Sequence, residues 1–395
     1  MNYLDKNYIS AGYMDSSVGI IPQEWEVKRL GACFSIGHGR DYKHLSNGDI
    51  PVYGSGGIIC YVGSFLHDGE TVCIGRKGTI NKPFYYNGPI WTVDTLFYTH
   101  NFQSVLPRYV GYLFDSIDWM RYNEATGVPS LTAKTISNIK KAVPPLTEQR
   151  KIVDILGAWD EAIEKQSRLI EKLELRKRAL MQRLLTGRTR LPGFTSPWQK
   201  VKLGEIGKFD KGVGVPKEKI VSEGCKAITY GEIYTKYDYV IKDFASYIDS
   251  DTAQTSKQIS SGAIIFAGSG ETLEDIGKCV AFIDNDKAYA GGDIIIFNPS
   301  IEVDSLVLSY ILNSPVAIAQ KRRYGQGHSV VHIYQKDLAR IEFELPSLPE
   351  QKAIAEVLTT ADDEIATHRK KLDALRLQKR GLMQQLLTGK TRVKI

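Results

Sequence analysis

The chain has 395 residues, of which 43% are hydrophobic and 24% are charged. This composition is typical of a soluble globular protein, and the length predicts two or three domains. The net charge of +6 permits nucleic-acid binding without requiring it. No apolar run reaches the length of a membrane span and Met1–Lys6 begins no signal peptide, so we expect a cytoplasmic protein. The five cysteines form no CxxC pair, which argues against a zinc site and leaves no expected metal.

The first predicted region, residues 1–143, has the pattern of a mixed α/β domain. Short β-branched and aromatic runs at Glu70–Gly75 and Trp91–Tyr98 lie between glycine turns, which is typical of strands. A helical pattern follows at Arg108–Met120.

Several predicted loops of this region place basic and polar residues beside glycines and aromatic residues. Glycine lets the backbone approach a phosphate, and the side chains offer donors to base edges. The candidate DNA contacts in this region are Arg40, Lys43, Tyr53, Ser55, Arg76, Lys77, Thr79 and Ser130.

Residues 144–190 predict one long helix. Apolar residues recur in alternating steps of four and three, which indicates a heptad seam for packing on another helix. We expect the helix to begin near Thr147 and to end at Thr186-Gly187, where glycine favours a C-terminal cap. Two polar residues, Gln166 and Lys177, interrupt the seam. We interpret them as residues that set the register of helix pairing.

The second predicted domain, residues 191–345, repeats this α/β pattern. Strands are expected at Gly262–Ala267 and Gly292–Phe297, and a helix at Ser305–Gln320. The densest run of basic and polar residues is Lys321–Ser329. A single loop of this kind is also typical of a solvated turn, and the argument for DNA rests on both domains carrying such loops. The candidate contacts in this region are Lys211, Tyr230, Ser269, Arg322, Arg323, Tyr324, Gln326, His328 and Ser329.

Residues 346–395 predict a second long helix that repeats the first. At a constant offset of 202, about 21 of the 47 positions of 144–190 and 346–392 are identical. The polar seam residues recur as His368 and Lys379, and a weaker repeat, Trp25–Gly31 and Trp198–Gly204, opens each half. The chain is therefore a duplication. The predicted fold class is α+β, with two mixed α/β domains in a pseudo-twofold arrangement, separated by two long antiparallel coiled-coil helices.

The sequence contains none of the catalytic motifs that we considered. Asn298-Pro299-Ser300 lacks the second proline and the aromatic residue of an amino-methyltransferase motif, and no glycine-rich turn has the strand–turn–helix setting of a cofactor site. Gly389-Lys390-Thr391 ends a predicted helix, unlike a P-loop. Glu148 and Glu350 lie at helix starts, where a carboxylate is favoured by the helix dipole. We therefore expect no enzymatic activity and no cofactor.

The repeated segments resemble type I restriction–modification specificity subunits. The resemblance rests on the Pro-x-Leu-x-Glu-Gln starts of both helices, their Leu-Leu-Thr-Gly ends, the Trp-x-x-x-x-Leu-Gly entry motifs, and Gly75–Thr79 with the Tyr53–Gly56 turn. The second domain departs from the pattern, since Ala267–Glu271 stands where Gly-Arg-x-Gly is expected.

The resemblance implies two target-recognition domains that each read half of a split, asymmetric site on double-stranded DNA, with helical spacers setting the gap. It also implies two methyltransferase (modification) subunits and restriction subunits as partners, with S-adenosylmethionine and ATP bound only by those partners. Three alternatives remain open: a specificity subunit of a type II-like system, a coiled-coil scaffold that binds only proteins, and an enzyme in its own right.

Overall fold

The computed structural model describes residues 10–327 and 330–394 and divides the chain into two compact units. Unit 1 comprises Met1–Arg168 and Lys370–Ile395, and unit 2 comprises Leu169–Arg369. Each unit therefore contains one α/β body, residues 20–143 or 194–345, and one half of each long helix. The four segments predicted from the sequence are each continuous, whereas unit 1 combines two stretches from opposite ends of the chain. No helix of the described residues is long and apolar enough to cross a membrane.

The first body is built on short strands and two short helices. The strands are β1 (Tyr13–Met14), β2 (Ile21–Pro22), β3 (Glu26–Arg29), β4 (Ser35–His38), β5 (Asn47–Gly54), β6 (Gly57–Val62), β7 (Glu70–Gly75), β8 (Phe84–Asn87), β9 (Trp91–Thr92), β10 (Leu96–His100) and β11 (Lys140–Val143). The helices are α1 (Pro107–Asp115) and α2 (Ala133–Asn138), with 3-10 turns at Leu30–Ala32 and Trp119–Tyr122. An antiparallel sheet has the order β4-β10-β7-β8, a smaller sheet has the order β6-β5-β9, and β1–β2 and β3–β11 form antiparallel pairs.

The first long helix, α3 (Leu146–Leu184), leads into the second body. The strands there are β12 (Gln199–Lys202), β13 (Gly207–Lys211), β14 (Ile220–Val221), β15 (Cys225–Ile228), β16 (Ser246–Ile248), β17 (Lys257–Ile259), β18 (Ile264–Ala267), β19 (Ser269–Gly270), β20 (Cys279–Ala281), β21 (Ala288–Ala290), β22 (Ile294–Pro299), β23 (Val331–His332) and β24 (Glu342–Leu345). The helices are α4 (Tyr230–Thr235), α5 (Ser250–Thr255), α6 (Ser305–Leu312), α7 (Pro315–Tyr324), α8 (Gln335–Leu338) and the second long helix α9 (Leu348–Leu387), with 3-10 turns at Leu203–Glu205 and Lys217–Lys219.

The two bodies share one sheet topology. The antiparallel order β13-β22-β18-β20 of the second body matches β4-β10-β7-β8 of the first, and β12–β24 matches β3–β11. The second body adds a five-stranded sheet, β14-β16-β15-β21-β17, and the pair β19–β23. In each body the last strand pairs with the entry strand directly before the long helix begins. The predicted α+β class with two mixed domains is confirmed.

The long helices begin and end close to the predicted residues. Helix α3 starts one residue before Thr147 and ends at Leu184, two residues before Thr186. Gly187 and Gly389 both adopt positive φ, +65° and +72°, which confirms the predicted glycine caps. Each helix closes with a matched turn in which Thr189 N–H donates to the Arg183 carbonyl and Thr391 N–H to the Gln385 carbonyl.

The two long helices pack antiparallel within each unit, as the heptad pattern predicts. In unit 1 the start of α3 packs with the end of α9, since Ile152, Leu156, Met383 and Leu386 share one core with the first body. In unit 2 the same arrangement is reversed, with Met181 and Leu184 of α3 beside Leu358 of α9. Each body is thereby packed against both helices of its unit.

The predicted short elements are confirmed with three differences. The helix predicted at Arg108–Met120 ends at Asp115, and a separate 3-10 turn follows at Trp119–Tyr122. Trp91–Tyr98 is split, because residues 93–95 turn between β9 and β10. Ser305–Gln320 is divided into α6 and α7, because Pro315 has no N–H to donate and starts a new helix after Ser314. The Ser314 side chain caps that new helix by accepting the Ala317 N–H.

Candidate nucleic-acid interface

Loops that are far apart in the first body's sequence converge on residues 91–96. Arg40 N–H donates to the Thr92 carbonyl (2.8 Å), and the Tyr53 carbonyl accepts the Val93 N–H (3.0 Å). Arg76 N–H donates to the Thr95 carbonyl (2.8 Å). Residues 92–95 thus hold three candidate loops, two through the Thr92 and Thr95 carbonyls and one through the Val93 N–H. Thr92 and Thr95 were missed from the sequence, since nothing in a short turn marks its carbonyls as anchors.

The Gly75–Thr79 loop lies beside two other candidate loops. Lys77 forms an isolated antiparallel bridge with Ser130, and Gly78 N–H donates to the Pro129 carbonyl (2.9 Å). A side chain at Gly78 would lie 3.1 Å from the Ser55 hydroxyl, which brings the Tyr53–Gly56 turn to the same place. The structure thus brings together Arg40, Tyr53, Ser55, Arg76, Lys77 and Ser130.

These side chains differ in exposure. Arg40, Lys43, Arg76 and Lys77 are exposed, whereas Ser55, Thr79 and Ser130 are half-buried. Tyr53 is also half-buried, with its ring 4.8 Å from Phe84, and burial raises the pKa of its phenol. Lys43 lies in the turn that follows Arg40, beside His44, whose ring meets Trp91. The result is a surface with four exposed basic side chains on a main chain held by hydrogen bonds.

The second body repeats the main-chain hydrogen bonds that hold this interface, which we call its frame, but with different side chains. Gly268 makes the main-chain hydrogen bonds of Arg76: its N–H donates to the Asp293 carbonyl (2.7 Å) and its carbonyl accepts the Ile333 N–H (2.9 Å). In the first body the Arg76 carbonyl accepts the Leu131 N–H (2.9 Å). The sequence comparison that put Ala267–Glu271 at the position of the Gly-Arg-x-Gly turn is therefore supported by geometry.

Three candidates of the second body already have neighbours or partners within the fold. Ser269 is 3% exposed and hydrogen-bonded to His332 Nδ1 (2.9 Å), because β19 pairs with β23. Tyr324 is half-buried against the core. Arg322 is exposed but forms an ion pair with Glu274 (2.9 Å). Lys321, which opens the basic run, is 1% exposed and donates to the Gly277 carbonyl (2.7 Å).

The remaining second-body candidates are surface residues. Lys211, Tyr230, Arg323 and Gln326 are exposed. Gln326 pairs through its main chain with His332, and Gly212 N–H donates to the Ile294 carbonyl (2.9 Å) beside Lys211. His328 and Ser329 lie outside the described residues. Among the described residues no cluster of histidine, cysteine, aspartate and glutamate could hold a metal ion.

The helix starts carry buried carboxylates that hold the bodies in place. In unit 1, Glu148 is fully buried and accepts hydrogen bonds from Trp25 Nε1 (2.8 Å) and from Arg392 Nε and Nη2 (2.8 and 3.0 Å). These bonds raise the pKa of Arg392, whose guanidinium also reaches Glu24. Glu148 is thus more than a helix-dipole residue, because it joins the entry motif to the residues that follow α9.

Unit 2 contains the same junction with the roles of the two helices exchanged. Glu350 is 1% exposed and accepts from Arg190 Nε and Nη2 (2.6 and 2.7 Å) and from Trp198 Nε1 (3.0 Å). Arg190 ends the repeat that contains α3, as Arg392 ends the repeat that contains α9. The tryptophan, the glutamate and the terminal arginine of this junction are all repeated in the sequence. Only the structure shows that the three side chains are in contact.

The adjacent Gln149 and Gln351 connect the helix starts to the bodies. Gln149 Nε2 donates to the Pro144 carbonyl, and Gln351 Nε2 donates to the Pro346 carbonyl. Their Oε1 atoms accept the N–H groups of Leu106 and Asp304, at 2.8 Å in each case. The repeated Glu-Gln pair therefore fixes each body on its helix.

The seam lysines pair with aspartates across the two helices. In unit 1, Lys379 of α9 and Tyr112 both donate to Asp160 of α3. In unit 2, Lys177 of α3 and Tyr310 both donate to Asp362 of α9. Since each pair joins specific positions of antiparallel helices, the geometry fits the predicted role in register, which stays a prediction.

The chain as a whole is an α+β duplication with one loop-built polar surface on each body. The sequence profile described as the type I restriction modification DNA specificity domain matches residues 22–175 and 195–377. The chain belongs to this family.

Relatives and solved structures agree with this assignment. The MjaVIII specificity subunit of a type I restriction enzyme from Methanocaldococcus jannaschii is 28% identical over 69% of this chain and 66% of its own length. The MjaIX specificity subunit from the same organism is 23% identical over 67% of this chain and 70% of its own length.

The fold is found in two solved structures at low sequence identity. A crystal structure of a type I restriction–modification S subunit from M. genitalium has a TM-score of 0.61 at 14% identity, covering 92% of this chain and 96% of that one. A chain from a study of complex assembly and conformational transition of the type I system has a TM-score of 0.57 at 17% identity, covering 94% and 99%.

Proposed function

We propose that this chain is the non-catalytic, sequence-specific DNA-recognition subunit of a type I restriction–modification complex. It reads a bipartite, asymmetric DNA site, and it directs adenine methyltransferase and restriction subunits to that site in the cytoplasm. S-adenosylmethionine and ATP belong to those partners. The observation that carries the proposal is the repetition of one loop-bearing sheet frame in two bodies, each with its own exposed cationic and polar side chains.

The exposed residues of each interface suit DNA for electrostatic reasons. Arg40, Lys43 and Lys77 have no acidic partner among the described residues, so they keep their charge available for phosphates. Phosphate contacts position a protein, while base-edge contacts specify the sequence. Two frames with different side chains would read two different half-sites, which is what an asymmetric split site requires.

Two methyltransferase subunits are supported by a repeated apolar position on the helices. Leu175 of α3 is 61% exposed, and Leu377, its counterpart at the offset of 202 on α9, is 68% exposed. Single exposed apolar side chains are normal on soluble proteins, so it is the repetition of this position on both helices that suggests a contact site. One such site in each unit accounts for two copies of the same partner.

The test is to map methylated adenines in a host that carries this chain with its neighbouring methyltransferase, against the methyltransferase alone. A new split motif that depends on this chain is expected. The variant Arg40→Ala/Lys43→Ala/Lys77→Ala should lower occupancy of that motif, while Lys151→Ala/Lys165→Ala, which changes two exposed lysines of α3, should not. If the complex assembles and no motif appears, the chain is a protein-binding scaffold instead.

A further inference from the structure

The Gly75–Thr79 turn fixes the main chain of Arg76 on both sides. Its N–H donates to the Thr95 carbonyl and its own carbonyl accepts the Leu131 N–H. Gly75 permits this tight turn, because a Cβ atom there would lie 2.1 Å from the Thr79 carbonyl oxygen. A side chain that starts from so constrained a position loses little main-chain freedom when it binds a ligand.

The guanidinium of Arg76 is also partly fixed. Its Nη1 donates to the Asp94 carbonyl (3.2 Å), while the side chain remains exposed. Arginine carries five N–H donors, so one tethering bond leaves an edge of the fork for a ligand. Lys77 next to it is exposed and has no side-chain partner among the described residues. An oriented fork suits a planar pair of acceptors, whereas a mobile ammonium suits a phosphate.

The second body cannot supply this group at the equivalent position. Gly268 occupies it, and a Cβ atom there would lie 2.9 Å from the Asp293 carbonyl oxygen, closer than a side chain tolerates. Its neighbour Ser269 is buried against His332. At the same position, the first body therefore presents the guanidinium of Arg76, and the second body presents only the main chain of Gly268.

We infer that Arg76 determines specificity by reading the O6 and N7 acceptors of a guanine in the first body's half-site, and that Lys77 holds a phosphate beside it. The inference rests on the proposed function. Guanine is the base that offers two acceptors on its major-groove edge. The second body has Gly268 at the equivalent position and does not require a guanine there, so the two half-sites differ at this base pair.

The experiment selects binding sites from randomised double-stranded DNA with the complex of this chain and its methyltransferase. The wild-type complex should select a guanine at one position of one half-site. Arg76→Ala should lose the preference at that position, keep the other half-site, and bind the original site roughly 10- to 100-fold more weakly. Arg76→Lys should weaken the preference, because a lysine ammonium does not present the planar fork. Lys77→Ala should weaken binding to all sequences alike and leave every preference in place.

A second measurement replaces the selected guanine with 7-deazaguanine, which lacks the N7 acceptor. The wild-type complex should lose about tenfold in affinity, whereas the Arg76→Ala complex should lose nothing further. If Arg76→Ala keeps every base preference, or if 7-deazaguanine weakens both complexes equally, the assignment of Arg76 is wrong while the recognition function stands. If the wild-type complex selects no sequence at all, the proposed function itself fails.

Discussion

The two units share their supporting contacts and differ in the surfaces those contacts support. The junctions of Glu148 and Glu350 use the same three residue types, and the same sheet order positions the loops of both bodies. The loop surfaces diverge, with Arg76 in one body and Gly268 in the other. The same sheet and loop backbone can therefore present different side chains in the two bodies, because main-chain hydrogen bonds hold the loops whatever their side chains are.

The units also differ in the pocket beside the seam lysines. In unit 1, Arg108 lies over the Tyr85 ring (4.6 Å) and joins Lys379 at Asp160, leaving a cavity of about 120 Å³. In unit 2, Leu306 lines a groove of about 690 Å³ beside Lys177 and Asp362. The seam aspartate thus has three donors in unit 1, where it is Asp160, and two in unit 2, where it is Asp362.

The largest expected effect comes from the shared junction. Glu148→Ala and Glu350→Ala should each lower the free energy of unfolding by about 3 kcal/mol, since a buried arginine-binding carboxylate is lost and a tryptophan N–H loses its acceptor. Urea unfolding followed by tryptophan fluorescence measures this. Glu161→Ala, which removes an exposed pair with Lys165 on the same helix, should cost no more than about 0.5 kcal/mol. Equal costs for Glu148→Ala and Glu161→Ala would show that the junction contributes nothing special.

The next effect separates the two units. Lys177→Met should cost about 2 kcal/mol, because Asp362 is left with Tyr310 and the lysine contact with the Tyr239 ring (4.2 Å) is lost. Lys379→Met also loses a ring contact, with Tyr112 at 5.1 Å, but should cost only about 1 kcal/mol because Asp160 keeps both Tyr112 and Arg108. Thermal and urea unfolding of the two variants compare them directly. The reverse order would mean that Arg108 does not compensate for the missing lysine.

The last prediction concerns the pH dependence given by a buried lysine of the second body. Burial lowers the pKa of Lys321, so the unfolded chain holds its proton up to about pH 10.4 while the folded protein releases it earlier. Between these two pKa values the unfolded state binds more protons, and this lysine therefore makes the fold more stable as pH rises and less stable as it falls. The stability of the wild type relative to Lys321→Met should rise by up to about 1.4 kcal/mol per pH unit within that window.

Urea unfolding at intervals from pH 7 to pH 10 measures the Lys321 effect. The exposed Lys165→Met variant is the control and should run parallel to the wild type throughout. Parallel profiles for Lys321→Met as well would mean that the buried amine keeps its ordinary pKa.

The repeat, the long helices and the α+β class could be predicted because they depend on local patterns. Heptad spacing and the capping glycine located α3 within two residues of its observed ends. The loops were identified from glycine and basic residues, and six first-body candidates do come together. Burial could not be predicted for Ser269 or Lys321, because it depends on β23 and on Gly277, which lie 63 and 44 residues away.

The sequence by itself determined that the chain is a duplication with two α/β bodies and two heptad helices, since identity at a constant offset and the period of apolar residues need no partner to be read. Only the tertiary structure decided that Arg392 meets Glu148 and that Arg190 meets Glu350. It also decided that Arg76 and Gly268 occupy the same place on two frames. The physical reason is that a charged or polar side chain acquires its role from the acceptors around it, and the fold brings those acceptors from distant parts of the chain.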